Sequence, residues 1–230
     1  MEPILKTDIP FEIDLAAIAQ RLEGEGAAVS QGALARLADA ARAVGRPKVL
    51  IRPATVAEAG DTSVRLGDQV FTSRAMAFHF SGLERVFPYL ATGGTELADW
   101  VDSLTEPEKS YADRMAEAAL GAALSAVEGE IRKQFGIDAI ARINPGSLVD
   151  WALDEQRILF ALLGEPVREL GVHLADNLLM FPIKSGSGIV FPDETGFVTC
   201  RLCTVSGCRL RRAAYEPGRY ERMYGAAPPG

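Results

Sequence analysis

The sequence predicts an α+β fold in which a mixed or antiparallel sheet packs on one long central helix. Helical and strand-like stretches follow one another without a regular β-α-β alternation. One stretch of about 30 residues carries helix signals from end to end, enough for a rod of roughly 45 Å. No glycine-rich dinucleotide loop or Walker motif is present, which removes the main reason to expect a doubly wound sheet.

From the N-terminus, Asp14 to Leu22 and Ser30 to Val44 space apolar residues three and four apart behind good N-caps, and Gly45 and Pro47 close the second helix. Val49 to Ile51 and Val64 to Thr72 are β-branched, and Gly67-Asp68 supplies a hairpin turn within the latter. A short helix at Arg74 to Phe80 precedes a buried strand, Val86 to Ala91. This strand runs into Thr92-Gly93-Gly94, a turn that either borders a ligand or only reverses the chain.

The long helix is expected over Glu106 to Phe135. Thr105 and Glu108 make a capping-box pattern, Pro107 lies in the first turn and Gly136 ends the helix. Its alanine-rich middle (Ala116, Ala118, Ala119, Ala122 and Ala123) lets neighbouring backbones pack closely. A strand at Ala139 to Ile143, a helix at Leu153 to Leu163 and two apolar strand-like runs, Leu178 to Pro182 and Gly188 to Phe191, complete the pattern. Residues 1–216 are expected to form one domain, in portions 1–82, 83–191 and 192–216, with a loose tail at 217–230.

Composition limits the function classes. The 230 residues are 48% hydrophobic, enough for a sizeable packed core, and the formal charge of −7 lacks the basic stripe that a nucleic-acid binder needs. No apolar run is long enough to span a bilayer and no secretory signal opens the chain, so a soluble, cytoplasmic protein is expected.

Several residues carry candidate chemistry. Asp113 and Glu117, four apart on the long helix, share a face where like charges repel and call for a cation. Arg114 can supply it, or a ligand with an ammonium or sulfonium group. Arg142, before Asn144-Pro145-Gly146, can grip a carboxylate with two parallel hydrogen bonds while Gly146 lets a ligand approach the main chain. An ordinary turn explains the same residues. Ser185 and Ser187 alternate with Gly186 and point to one side of an extended chain, where they line a cleft or merely a Ser/Gly bend.

Taken together these stretches resemble the S-adenosylmethionine-binding activation domain of cobalamin-dependent methionine synthase. Arg142, Pro145 and Gly146 match the family's Arg-Pro-Ala-Pro-Gly-Tyr. Gly171, Leu174, Met180, Pro182, Ser185, Ser187 and Gly188 follow in the order of its next motif. Upstream, Ala112 to Ala118 is similar to its Ala-Asp-Arg-Leu-Ala-Glu-Ala helix, and Thr92-Gly93-Gly94 to its Thr-Gly-Gly turn. The similarity covers roughly Leu83 to Phe191 of a chain that looks like a free-standing short form. It departs at Ser147, where the family has tyrosine, and the family's later paired tyrosines are absent, with Phe197 the nearest aromatic residue.

The resemblance implies S-adenosylmethionine held by Arg142, the backbone of Asn144 to Gly146, and Glu117, with Arg142 on the carboxylate and Glu117 facing the positive charge. It also implies service to a corrinoid-binding methyltransferase module that carries cobalamin, with an electron from a donor such as a flavodoxin or ferredoxin. The chain need not then be an enzyme by itself. Cys200, Cys203 and Cys208 stand outside the resemblance. Three thiols within nine residues either stay reduced or, with a fourth ligand, hold zinc or an iron-sulfur cluster, which makes an electron-transfer protein the alternative function. Arg209, Arg211 and Arg212 beside them form a basic patch that is either a solvated face or a dock for an acidic partner.

Overall fold

The computed structural model describes residues 2–26, 29–208 and 211–226. In chain order the elements are β1 (Ile4–Lys6), α1 (Leu15–Gly24), α2 (Gln31–Val44), β2 (Lys48–Ile51), β3 (Ala54–Ala59), β4 (Ser63–Leu66), β5 (Gln69–Thr72), α3 (Arg74–Phe80), β6 (Arg85–Thr92), α4 (Thr95–Asp102), α5 (Glu108–Phe135), β7 (Ile140–Ile143), α6 (Gln156–Leu163), β8 (His173–Leu174), β9 (Met180–Phe181), β10 (Ser185–Pro192) and α7 (Arg219–Tyr224).

The fold is α+β, built on an antiparallel sheet of eight strands with a small separate hairpin of β8 and β9. Strand β6 is its centre. Along one edge it pairs with β2 and then β3; along the other it pairs with β10, which in turn pairs with β7. Helices cover both faces, so the central strands are apolar throughout rather than alternating with polar residues.

Side chains still alternate in destination, as the pleat requires. Val49, Ile51, Phe87, Tyr89, Ala91 and Val190 pack toward Leu120, Ala123, Leu124, Val127 and Ile131 of α5. Their neighbours Leu50, Val86, Leu90, Ile189 and Phe191 join Phe71, Phe80, Trp151 and Leu159 on the opposite side. A third cluster packs α1, α2 and α4 onto the first half of α5 through Leu22, Leu34, Leu37, Leu97 and Met115. The long helix is therefore the strut shared by sheet and helical layer. The turn after β6 lies close on it: a Cβ at Gly93 would stand 3.4 Å from the Ala116 carbonyl oxygen and 3.6 Å from the Ala119 methyl group.

Local signals and outcomes differ in several places. The N-terminus of α5 is secured by Glu106, whose carboxylate accepts from the Ser110 amide at 3.3 Å and its hydroxyl at 2.7 Å, not by a Thr105 capping box. Leu153–Glu155 is a 3-10 turn before α6, and of the run Leu178 to Pro182 only β9 pairs as a strand. The segment expected as a loose tail contains α7. Its Tyr220 and Tyr224 are buried, and the Tyr224 hydroxyl lies 2.7 Å from His79 Nε2, so aromatic burial holds the helix down. Residues 227–230 lie outside the described residues. Among the described residues no helix is long and apolar enough to cross a membrane.

Candidate functional site

Arg142 is placed by register. It sits opposite Val190 of β10, whose side chain packs toward α5, so the guanidinium also emerges on the helix side of the sheet. There it meets Glu128 of α5 at 3.8 Å, with only 13% of its side chain exposed. Thr199 Oγ1 donates to the Arg142 carbonyl and ties the C-terminal segment to the end of β7.

The turn after Arg142 is rigidly held. Ser147 Oγ accepts from the Asn144 amide at 3.1 Å and donates back to the Asn144 carbonyl, and the Gly146 amide reaches the Trp151 carbonyl at 2.9 Å. Asn144 Nδ2 donates to Tyr89 Oη at 2.7 Å and to the Ser187 carbonyl. Gly188 makes this possible: a Cβ there would collide with the Ile143 carbonyl and the Asn144 amide. Gly146 has φ +73°, which favours glycine, but its missing Cβ faces Leu153 at 3.4 Å rather than open space. The positive φ gives Gly146 a backbone role in the turn, whose main chain also lines the cleft beside Arg142.

Together these residues form one wall of a cleft of about 270 Å³, lined by Tyr89, Leu120, Leu124, Arg142, the Asn144 to Ser147 turn, Ser185, Gly186, and the segment carrying Cys200, Cys203, Cys208 and Arg212. Its electrostatics are positive. Arg132, Arg142 and Arg212 all face the single carboxylate of Glu128, at 3.5, 3.8 and 3.6 Å. Burial pushes the Tyr89 phenol above its ordinary range, while Arg142, the bond from Asn144 and Arg212 pull it partway back.

Asp113 and Glu117 sit elsewhere. Glu117 lines a larger cleft of about 790 Å³ between α1, α5 and the start of β10, whereas Asp113 lines a third, of about 370 Å³, beside α4 and β9. The cation their spacing calls for comes from the chain itself. Lys184 bridges Asp113 at 3.0 Å and Glu117 at 3.4 Å, and Glu117 also meets Arg114 at 3.0 Å and Arg21 at 3.1 Å. The Arg142 and Glu117 clefts adjoin, since Leu120 and Ser185 line both.

Ser185 Oγ bonds to Thr92 Oγ1 at 2.9 Å. Ser187 is buried, and its Oγ has no hydrogen-bond partner among the described residues; it lines a pocket on the far side of the Asn144-Pro145 turn. Phe197 does not stand in for the missing tyrosines, because it packs in the core with its ring centroid 4.1 Å from that of His79.

The three cysteines do not converge on one point. Among the described residues no group of three or more His, Cys, Asp or Glu is arranged to hold a metal ion. Cys200 and Cys203 are half-buried and Cys208 is exposed, all as free thiols, and Cys200 Sγ accepts from the Arg212 amide at 3.3 Å. At its centre this segment holds a guanidinium: Arg211 donates to the carbonyls of Cys200 at 2.8 Å, Cys203 at 3.1 Å, Ala213 at 3.3 Å and Val205. A fixed positive charge among these thiols opposes a divalent cation. Arg209 of the basic patch lies outside the described residues.

Sequence reasoning overlooked Tyr89, Glu128 and Thr199 as site residues. Glu128 has an i, i+4 partner in Arg132, which marks it as an ordinary helix ion pair, and nothing local announces that two further arginines converge on it from β7 and the C-terminal segment.

No protein-family model matches the chain, and comparison with curated proteins finds no match. Among solved structures, the chain is similar to the MetH reactivation domain in its crystal structure bound to AdoHcy, with a TM-score of 0.59 and 15% sequence identity over 82% of this chain and 70% of that one. At this identity the likeness is one of fold: the antiparallel sheet and the 28-residue helix α5 form an architecture like that of the MetH reactivation domain.

Proposed function

We propose that the chain binds S-adenosylmethionine and serves the reactivation of a cobalamin-dependent methyltransferase, in the manner of methionine synthase, with the corrinoid carried by a partner chain. One observation carries the reading: in a fold similar to a domain solved with AdoHcy, the Arg142 turn lines a cleft with more positive than negative charge.

The ligand lies across the two adjoining clefts, with its carboxylate at Arg142 and its sulfonium toward Ser185 and Glu117. The Arg142 cleft alone is slightly below the roughly 300 Å³ at which small-ligand pockets begin. Joined at Leu120 and Ser185 to the larger cleft, the space suffices. The chain's part is to orient the methyl donor and to keep water from it on the side walled by Leu120 and Leu124. Transfer of the methyl group to the partner's corrinoid, with one electron from a flavodoxin- or ferredoxin-like donor, leaves S-adenosylhomocysteine behind.

Two measurements test this reading. Titration of the protein with S-adenosylmethionine is expected to show saturable binding that Arg142→Gln weakens by about a hundredfold, since a nearly enclosed, charge-assisted grip on the carboxylate is lost. Reconstitution with an inactive Co(II) corrinoid protein, a reductant and methyl-labelled S-adenosylmethionine is expected to place label on cobalt only when this chain is present. Labelling at the same rate without it overturns the proposal.

A further inference from the structure

Among the described residues, the group of charges around Glu128 carries a surplus of arginines at the cleft. Three arginines address one carboxylate, and the two that line the cleft, Arg142 and Arg212, share its Oε1 at 3.8 and 3.6 Å. Both distances exceed those of a normal N–H···O bond. Among the described residues, neither guanidinium donates a hydrogen bond to the protein, so their N–H groups remain available to a ligand.

Arg212 comes from a segment that lies outside the stretch resembling the activation domain, yet it is held in place. Its amide is bonded to Cys200 Sγ, Arg211 binds the carbonyls on either side of the turn, and the Glu216 amide closes back on the Arg201 carbonyl at 2.8 Å. The Arg212 side chain is 45% exposed, against 13% for Arg142, so it stands at the cleft mouth above a nearly enclosed partner.

We propose that Arg212 is a second carboxylate-binding residue of this cleft, closing from the C-terminal segment over the end of the ligand that Arg142 holds from below. Glu128 is the resident anion that the ligand's carboxylate displaces from the two guanidiniums. The inference rests on the S-adenosylmethionine reading for the identity of the ligand, and it adds the residue that selects for a carboxylate.

The test titrates the full chain with S-adenosylmethionine and with its decarboxylated analogue, which keeps the sulfonium and the adenosyl group. Arg212→Gln is expected to weaken S-adenosylmethionine by about tenfold and to leave the analogue unchanged, as loss of a charge-assisted bond to the carboxylate requires. Arg212→Lys, which keeps the charge without the fork, is expected to fall between. Glu128→Gln is expected to tighten S-adenosylmethionine about threefold by removing the competing anion, a gain that a merely structural role does not produce.

Arg212→Gln binding both ligands like the parent overturns the inference and leaves the functional reading standing. Equal weakening of both ligands overturns it too, by showing that the residue supports structure only. A parent chain that binds neither ligand overturns the reading and the inference together.

Discussion

Glu117 and Glu128 lie on one face of the same helix, about three turns apart, and each is approached by three cations. The first arrangement is closed. Among the described residues, Arg21, Arg114 and Lys184 surround Glu117, while Asp113 shares Lys184 and Glu25 shares Arg114, so each of these bases has a carboxylate within 3.1 Å. The second is open: among the described residues Arg132, Arg142 and Arg212 have one carboxylate among them, and none comes nearer to it than 3.5 Å. A closed network stabilises the joint between α1, α5 and β10, whereas an open one holds guanidiniums ready for an anion from outside. A pair of acids on a helix face is thus weaker evidence for a cationic ligand than a surplus of arginines is for an anionic one.

The largest expected effect tests whether the open side depends on backbone contact. Gly188→Ala puts a methyl group into the Ile143 carbonyl and the Asn144 amide, so either β10 leaves β7 or the Asn144 turn moves. Overpacking of this kind costs about 3 kcal/mol. Denaturant unfolding should show that loss, together with weaker S-adenosylmethionine binding. A variant as stable as the parent would mean that the turn is not packed as described.

Next in size is the contrast between the two glutamates. Glu117→Gln leaves Arg114, whose side chain is 10% exposed, with fewer partners, and is expected to cost about 2 kcal/mol. Glu128→Gln removes longer contacts to arginines of which two are more than 40% exposed, and is expected to cost less than about 0.5 kcal/mol. Equal losses in thermal unfolding would erase the distinction between closed and open networks.

Much of the fold was legible because its signals are local. The caps at Asp14 and Ser30, the Gly67-Asp68 hairpin, the stop at Gly136 and the apolar run of β6 all act within a few residues and fold as read. Strand β3 and helix α7 escaped for opposite reasons. Strand β3 has exposed positions that interrupt an apolar pattern, and α7 is short and rests on Tyr220 and Tyr224 meeting a core assembled elsewhere. In the site, the Arg142 turn was legible as a motif. Lys184 lies 71 and 67 positions from Asp113 and Glu117, and Arg212 lies 84 from Glu128, so only the path of the chain into β10 and that of the C-terminal segment bring them together; Arg142, nearer in sequence, reaches Glu128 through the register of β7 on β10. The spacing of the cysteines left reduced thiols and a ligand set equally open, and the arginine that organises the carbonyls of Cys200 and Cys203 lies three residues beyond the last of them.

The smallest expected effect sharpens the comparison at the closed end. Lys184→Ala removes the bridge between Asp113 and Glu117, but Glu117 keeps Arg21 and Arg114, and Asp113 is 40% exposed and can be solvated. The stability cost is therefore expected to stay under about 1 kcal/mol. The electrostatic consequence for a ligand is opposite in sign. With one cation removed, the potential at the cluster becomes more negative, and a sulfonium placed toward Glu117 is held more tightly, by about twofold. A titration of S-adenosylmethionine against Lys184→Ala that shows weaker binding would place the ligand's positive charge away from Glu117, and would confine the whole of the recognition to the arginine side.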